Sequence, residues 1–141
     1  MYDLDATSPA RLANISTRGR VGLHDDVMIG GIIMGGSELS EVLLRAIGPS
    51  LTGAGVIGEI ADPILELHDG NGALIVTNDD WKDIQQEEIE ATALAPSNDK
   101  EAAILASLKP GNYTAIVKGV NDTTGIAVVE AFALRKQRVE H

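Results

Sequence analysis

Two short apolar segments joined by a glycine-rich turn constrain the fold of this chain most strongly. Residues 64–68 (ILELH) are followed by Asp69-Gly70-Asn71-Gly72 and then by residues 73–77 (ALIVT). Asp-Gly and Asn-Gly are frequent in two-residue hairpin turns, because a type I′ turn requires positive φ at both central residues. The pattern therefore predicts an antiparallel β-hairpin over residues 64–77.

Most other apolar residues also fall in short runs bounded by glycine, serine or proline, as is typical of strands. Such runs lie at residues 27–34, 41–47, 101–108, 113–119 and 126–134. The last run is apolar on both faces, which favours a central position in its sheet. Gly30-Gly31, within the first run, indicates either a bulge or a close backbone approach. Residues 2–20 are mixed and polar.

One segment has helical character. Between residues 82 and 94, Ile84, Ile89 and Ala93 form a weak stripe with a helical period, and acidic residues crowd the first turns, where the helix dipole favours them. Pro96 ends the segment. The predicted fold is therefore all-β, an antiparallel, jelly-roll-like sandwich of about eight strands with one short helix near residues 82–94.

Length and composition limit the remaining classes of function. The 141 residues predict a single domain over residues 1–137, and residues 138–141 (RVEH) resemble the remnant of a tag. The chain has no cysteine, which excludes disulfides and thiolate chemistry. Its formal net charge of −10 disfavours binding to nucleic acid. No apolar stretch is long enough to insert into a membrane.

Several motifs in the second half resemble a known family. They are Asp62-Pro63-Ile64-Leu65-Glu66-Leu67, Asp69-Gly70-Asn71-Gly72, Asn78-Asp79-Asp80-Trp81 and Leu108-Lys109-Pro110-Gly111-Asn112-Tyr113. In this order they resemble the bacterial pre-peptidase C-terminal domain, over residues 60–134. Residues 11–21 and 42–51 resemble an uncharacterised repeat module of large bacterial surface proteins. The resemblance implies a β-sandwich, an extracellular or cell-surface setting and a non-catalytic, accessory or adhesive role.

The N-terminal segment suggests a route to self-association. In arrays of the repeat module the last strand runs into a Tyr-Asp-Leu-Asp segment, and Tyr2-Asp3-Leu4-Asp5 stands at the start of this chain. Residues 1–8 are therefore interpreted as a linker or as a strand from a preceding repeat. Such a strand could pair with its own sheet or with the open edge of a neighbour, which predicts a homo-oligomer through the N-terminal strand.

The acidic residues around the predicted helix start form the candidate metal site. Calcium takes six to eight oxygen ligands, many of them carboxylates and amides on turns. The predicted ligands are Asn78, Asp79, Asp80, Asp83 and Glu101. The alternative is that Asp69 and Asn71 shape the hairpin turn and that Asp79 or Asp80 caps the helix. Calcium is the candidate cofactor, and none of these residues is assigned to catalysis.

Three classes of function follow from these residues. The first is a non-catalytic extracellular module that docks on neighbouring domains of its parent protein. The second is an accessory module for an extracellular polymer or glycan, for which Trp81, the single tryptophan, would have to be exposed to stack on a sugar. The third, an enzyme, would require convergence of Ser50 with His24 or His68 and an acid, and the spacing of these residues matches no nucleophile motif.

Overall fold

A computed structural model describes residues 2–3, 13–24, 26–37 and 39–137. The predicted tag remnant at 138–141 and most of the 1–8 segment lie outside these residues. The described elements, in chain order, are β1 (Tyr2–Asp3), β2 (Ala13–Val21), β3 (Met28–Met34), β4 (Leu39–Ile47), a 3-10 helix (Pro49–Ala54), β5 (Pro63–His68), β6 (Leu74–Asn78), α1 (Gln86–Ala91), β7 (Ala102–Leu108), β8 (Gly111–Gly119), a second 3-10 helix (Val120–Asp122) and β9 (Gly125–Gln137).

The strands form two sheets with jelly-roll topology. Sheet A has the order β1-β3-β8-β5-β6, and sheet B has the order β2-β9-β4-β7. Strand β2 pairs with β9, β3 with β8, β4 with β7 and β5 with β6, all antiparallel. The chain is thus a long antiparallel ribbon folded over on itself, which is the arrangement of a jelly roll. This confirms the predicted all-β sandwich and its jelly-roll character.

The main core lies between the two sheets and follows from alternation along each strand. In β5, Pro63, Leu65 and Leu67 are buried, whereas the alternate residues are half-buried. In β9, Ala127 and Val129 face the same core. Strand β9 lies between β2 and β4, which confirms the central position predicted from its two apolar faces.

The outer face of sheet B is covered by the segment between β6 and β7. Trp81 and Ile89 from this segment pack on Leu43, Ala103 and Phe132 of the sheet. The helix α1 spans Gln86–Ala91, shorter than the predicted 82–94. No side chain caps its N-terminus at Gln85, so the interpretation of Asp79 or Asp80 as a helix cap is wrong.

The backbone distinguishes the two interpretations of Gly30-Gly31 and corrects the turn type of the hairpin. Strand β3 pairs with β8 without a register shift, so Gly30-Gly31 is not a bulge. Gly30 instead faces sheet B, where an added Cβ would lie 3.4 Å from Cγ1 of Val129. In the hairpin turn, Gly72 has positive φ (84°) and its N–H donates to the Asp69 carbonyl at 3.0 Å. The hairpin is confirmed, but its turn is not type I′.

None of the helices in the described ranges is long and apolar enough to cross a membrane.

Candidate functional site

Acidic residues from two loops meet at one end of sheet A. Because Leu65 of β5 lies opposite Asn78 of β6, the chain enters β5 and leaves β6 at the same end of the sheet. Asp62 immediately precedes β5, and Asp79 and Asp80 immediately follow β6. Each of these three aspartates contributes one carboxylate oxygen to a group whose members lie within 4.8 Å of one another. We call Asp62, Asp79 and Asp80 the acidic triplet.

The environment of the triplet disfavours three negative charges. All three residues are half-buried, and the Oδ1 atom of each is buried without a hydrogen-bond partner in the described part of the chain. Burial raises the pKa of Asp79, and repulsion by Asp62 and Asp83 raises it further. Burial and repulsion by Asp79 and Asp83 also raise the pKa of Asp80. A proton or a bound cation would relieve this repulsion.

Two of the predicted ligands are engaged elsewhere. The Asn78 amide oxygen accepts a hydrogen bond from the N–H of Ala103 at 3.0 Å, and its nitrogen donates to the Asp80 carbonyl at 3.0 Å. Asn78 thereby links the end of β6 to β7. Glu101 is fully buried, and its Oε2 accepts hydrogen bonds from the backbone N–H groups of Gly48 and Ser50, each at 2.9 Å.

The structure therefore groups the predicted ligands differently from the sequence. Asp79 and Asp80 come together, and the exposed Asp83 lies near enough for its charge to act on both. Asp62 completes the triplet and was missing from the prediction. The signal for it was available, since the predicted hairpin places the residue before β5 beside the residues that follow β6.

The triplet can supply part of a calcium coordination shell. Calcium prefers hard oxygen ligands and takes six to eight of them, and three carboxylates offer between three and six. The site would join the start of β5 to the segment after β6, which carries Trp81 onto sheet B. Metal binding at all five predicted ligands remains a prediction, and the geometry favours Asp62, Asp79 and Asp80.

Trp81 does not offer a stacking surface. It is only 5% exposed, and its backbone N–H donates to the Glu101 carbonyl at 2.9 Å. Its ring packs with Ile89 and Phe132. This buried position removes the exposed ring on which the sugar-binding function depended.

Ser50 and His68, two of the residues considered for nucleophilic catalysis, lie in separate hydrogen-bond networks. His68 Nε2 lies 2.9 Å from Glu66 Oε1, and its Nδ1 lies 3.1 Å from the Gly72 carbonyl. Ser50 Oγ donates to Glu101 Oε2 at 2.6 Å. The described clefts of about 410 Å³ and 290 Å³ are lined by neither of these residues. Ser50 and His68 thus have different hydrogen-bond partners.

Comparison with solved structures finds proteins of similar structure. The chain is similar to the pre-peptidase C-terminal domain of a collagenase from Bacillus anthracis, with a TM-score of 0.49 and 11% identity. The similarity covers 84% of this chain and 88% of that domain. No family model matches the sequence, and no curated protein matches it. An identity of 11% establishes no activity or ligand for this chain.

Proposed function

We propose that this chain is a non-catalytic structural and interaction module of an extracellular protein, and that calcium bound at the acidic triplet stabilises its fold. The observation that carries the proposal is the convergence of three half-buried carboxylates, whose oxygens lie within 4.8 Å of one another. No lysine or arginine forms a salt bridge with any of them among the described residues. A cation is the simplest neutralising partner.

The chemistry of the triplet favours calcium over softer metals. The three ligands are carboxylates, and the chain has no cysteine, whereas zinc and copper favour thiolate and imidazole ligands. Calcium modules of extracellular proteins bind with a Kd of about 10⁻⁴–10⁻³ M. A site with only three protein carboxylates is expected to bind calcium with an affinity in this weak range. Such an affinity is useful only where calcium is abundant, as it is outside the cell.

The position of the triplet explains how calcium would stabilise the module. Asp62 is tied to the loop after β8, because its carbonyl accepts a hydrogen bond from Val120 at 2.9 Å. Asp79 and Asp80 begin the segment that covers the outer face of sheet B. A bound cation would fasten this covering segment to sheet A. The role of the module is then to hold a rigid shape between neighbouring domains of its parent protein.

Thermal unfolding after chelator treatment, with and without millimolar calcium, tests the proposal. A ligand that binds only the native state adds about 2.7 kcal/mol at 100 times its Kd, which raises the midpoint by several degrees in a domain of this size. We expect such a rise with calcium and a smaller one with magnesium, which demands near-octahedral geometry. Equal midpoints with calcium and with chelator would contradict the proposal.

The variant Asp79→Asn tests whether the rise in midpoint comes from calcium bound at the acidic triplet or from a general effect of negative charge. The pKa of Asp79 is raised above its ordinary value of 3.8, so its ionisation lowers the stability of the metal-free fold as the pH rises above that value. At pH 7 we therefore expect the chelated variant to unfold at a higher temperature than the wild type. We also expect it to lose the calcium-dependent rise.

Glu87→Gln is the matched control, because it removes one negative charge from an exposed position on α1. It should keep the full calcium response. A calcium response that survives in Asp79→Asn would place the ion elsewhere and overturn the assignment to the triplet.

A further inference from the structure

The four edges of the two sheets are protected to different degrees. An edge strand presents unpaired backbone groups that can pair with another chain, and proteins block such edges with charges, bulges or covering side chains. Strand β2, at one edge of sheet B, carries the exposed residues Arg18 and Arg20. Strand β6, at one edge of sheet A, has a register shift that leaves Ile75 without an opposite residue in β5.

The edge formed by β7 is covered by side-chain amides. Gln85 donates to the Leu105 carbonyl and accepts from the Leu105 N–H, both at 3.0 Å. Asn78 accepts from the Ala103 N–H two residues earlier. These amides take the hydrogen bonds that a further strand would otherwise make with Ala103 and Leu105, so the β7 edge is blocked at these positions.

Strand β3 has none of these devices. Its seven residues, MIGGIIM, contain no charge and no proline, and its register with β8 is continuous. Ile29 is 61% exposed. In the described part of the chain, its outer side is paired only at Ile32 and Ile33, by the parallel strand β1. Residues 28–31 have no strand on that side among the described residues.

We propose that the β3 edge is a self-association surface, and that it receives the Tyr2–Asp3 strand of a second copy of this chain. The structure already pairs this segment with this edge in a defined register, so a second copy offers a complementary strand. The pairing involves two residues and is weak, since each hydrogen bond contributes only about 0.5–1.5 kcal/mol. Nine residues (4–12) separate β1 from β2, which is enough chain for the strand to leave its own sheet.

Exchange of this kind keeps every contact of the closed form, and for that reason domain swapping is a low-cost route to dimers. The size of the assembly depends on how the copies are connected. Two copies that exchange β1 reciprocally form a closed dimer, whereas copies that pass β1 on in series form an open chain. The inference does not depend on the acidic triplet, and its test can be carried out in chelator.

Disulfide trapping tests the exchange, because the natural sequence has no cysteine. Asp3 lies opposite Ile33, and adjacent strands are about 4.8 Å apart, within the range of about 4.4–6.8 Å between Cα atoms that a disulfide spans. Two single variants, Asp3→Cys and Ile33→Cys, are mixed under mild oxidation, and the formation of the mixed disulfide dimer is followed on non-reducing gels.

The control mixture pairs Asp3→Cys with Ser107→Cys, a conservative change at an exposed position of β7. If the strand is exchanged, the Ile33→Cys mixture should form the mixed dimer about tenfold faster than the control, since pairing raises the local thiol concentration. Equal rates in the two mixtures would overturn the proposal. So would a double variant, Asp3→Cys with Ile33→Cys, that oxidises only to the monomer at every protein concentration.

Discussion

Glu101 joins three segments of the chain through a single buried carboxylate. Its Oε2 accepts hydrogen bonds from two backbone N–H groups and one hydroxyl in the loop at residues 48–50. Its Oε1 accepts from the N–H of Asn98 at 3.3 Å. Four donors and no described cation therefore surround this side chain. Hydrogen bonds to a charged acceptor are among the stronger ones in proteins, so we assign Glu101 a structural role.

Replacing this carboxylate by an amide should destabilise the fold. In Glu101→Gln the new NH₂ group must face a backbone or hydroxyl donor, which leaves at least one buried donor unpaired at a cost of about 1–3 kcal/mol. Denaturant unfolding in chelator measures the loss, with Glu87→Gln as the exposed control. A free energy of unfolding equal to that of the wild type would refute the structural role.

His68 lies between two hydrogen-bond acceptors, and this geometry favours its protonated form. Its ring nitrogens face the Glu66 carboxylate and the Gly72 carbonyl, and only the imidazolium carries a proton on both nitrogens. The hydrogen bond to Glu66 raises the pKa of His68 above its ordinary 6.5. Burial alone would raise the pKa of Glu66, but hydrogen bonds from His68 and Lys118 outweigh it and lower the value below 4.5.

The pair should therefore stabilise the fold most between pH 4.5 and 6.5. Above this window the contribution of His68 is lost as the pH rises through its raised pKa, and below it that of Glu66 is lost as the pH falls through its lowered pKa. The difference in unfolding free energy between wild type and His68→Gln should peak in this window. His24→Asn, at an exposed turn, controls for loss of a histidine; a flat difference would contradict the paired state.

The outcome at the candidate site shows what residue patterns can and cannot establish. Asp79 and Asp80 were predictable because they follow a clear strand. Asp62 required the register of the hairpin as well as its existence. Asn78 and Glu101 have the right chemistry for ligands, but backbone donors from β7 and from the loop at residues 48–50 occupy them. Such distant partners leave no signature in the local sequence.

At the scale of elements, the segment between β6 and β7 covers both the outer face of sheet B and the edge of that sheet formed by β7. Trp81 and Ile89 cover the outer face of sheet B, while the Gln85 amide makes two hydrogen bonds with Leu105 in the edge strand. One short irregular segment thus replaces the strand that would otherwise extend the sheet.

Removing the Gln85 amide should open the β7 edge. In Gln85→Ala both hydrogen bonds to Leu105 are lost, which at about 0.5–1.5 kcal/mol each lowers the free energy of unfolding by about 1–3 kcal/mol. We also expect faster aggregation in mild denaturant, measured by light scattering, because an unprotected edge templates pairing. Gln85→Glu loses one of the bonds but adds a charge to the edge, so it should be destabilised without aggregating. Aggregation of both variants alike would show that lost stability alone is responsible.

The strand that local periodicity missed is the polar strand β2. The β7, β8 and β9 runs and the hairpin were predictable from apolar periodicity. Strand β2 reads ANISTRGRV, and its one paired neighbour is β9, so as an edge strand it needs fewer apolar residues. Strand β1 has only two residues, and its pairing with β3 agrees with the interpretation of the N-terminal segment as a strand that joins its own sheet. Both are formed by pairing with strands distant in sequence, which local periodicity does not report.

At the scale of the whole molecule, the order of strands in the sheets follows from the folded ribbon. The pairing of β2 with β9 brings Ala13 opposite Ala133, two residues separated by almost the full length of the chain. The β5–β6 hairpin, at the other end of the ribbon, pairs residues that are close in sequence. The fold class could be predicted, because short strands and many turns limit the choices. The sheet order could not, because it depends on which faces pack together after the ribbon folds.

The net charge of −10 should also act on the molecule as a whole. Self-repulsion destabilises the compact state, and salt screens it, since the Debye length falls from about 30 Å at 0.01 M to about 3 Å at 1 M. In chelator we expect the unfolding midpoint to rise as sodium chloride is increased, in the wild type and in Asp79→Asn alike. A calcium site should add a further rise at constant ionic strength, in the wild type only. If sodium chloride reproduced the entire effect of calcium at matched ionic strength, screening of the acidic surface would account for the response without a bound ion.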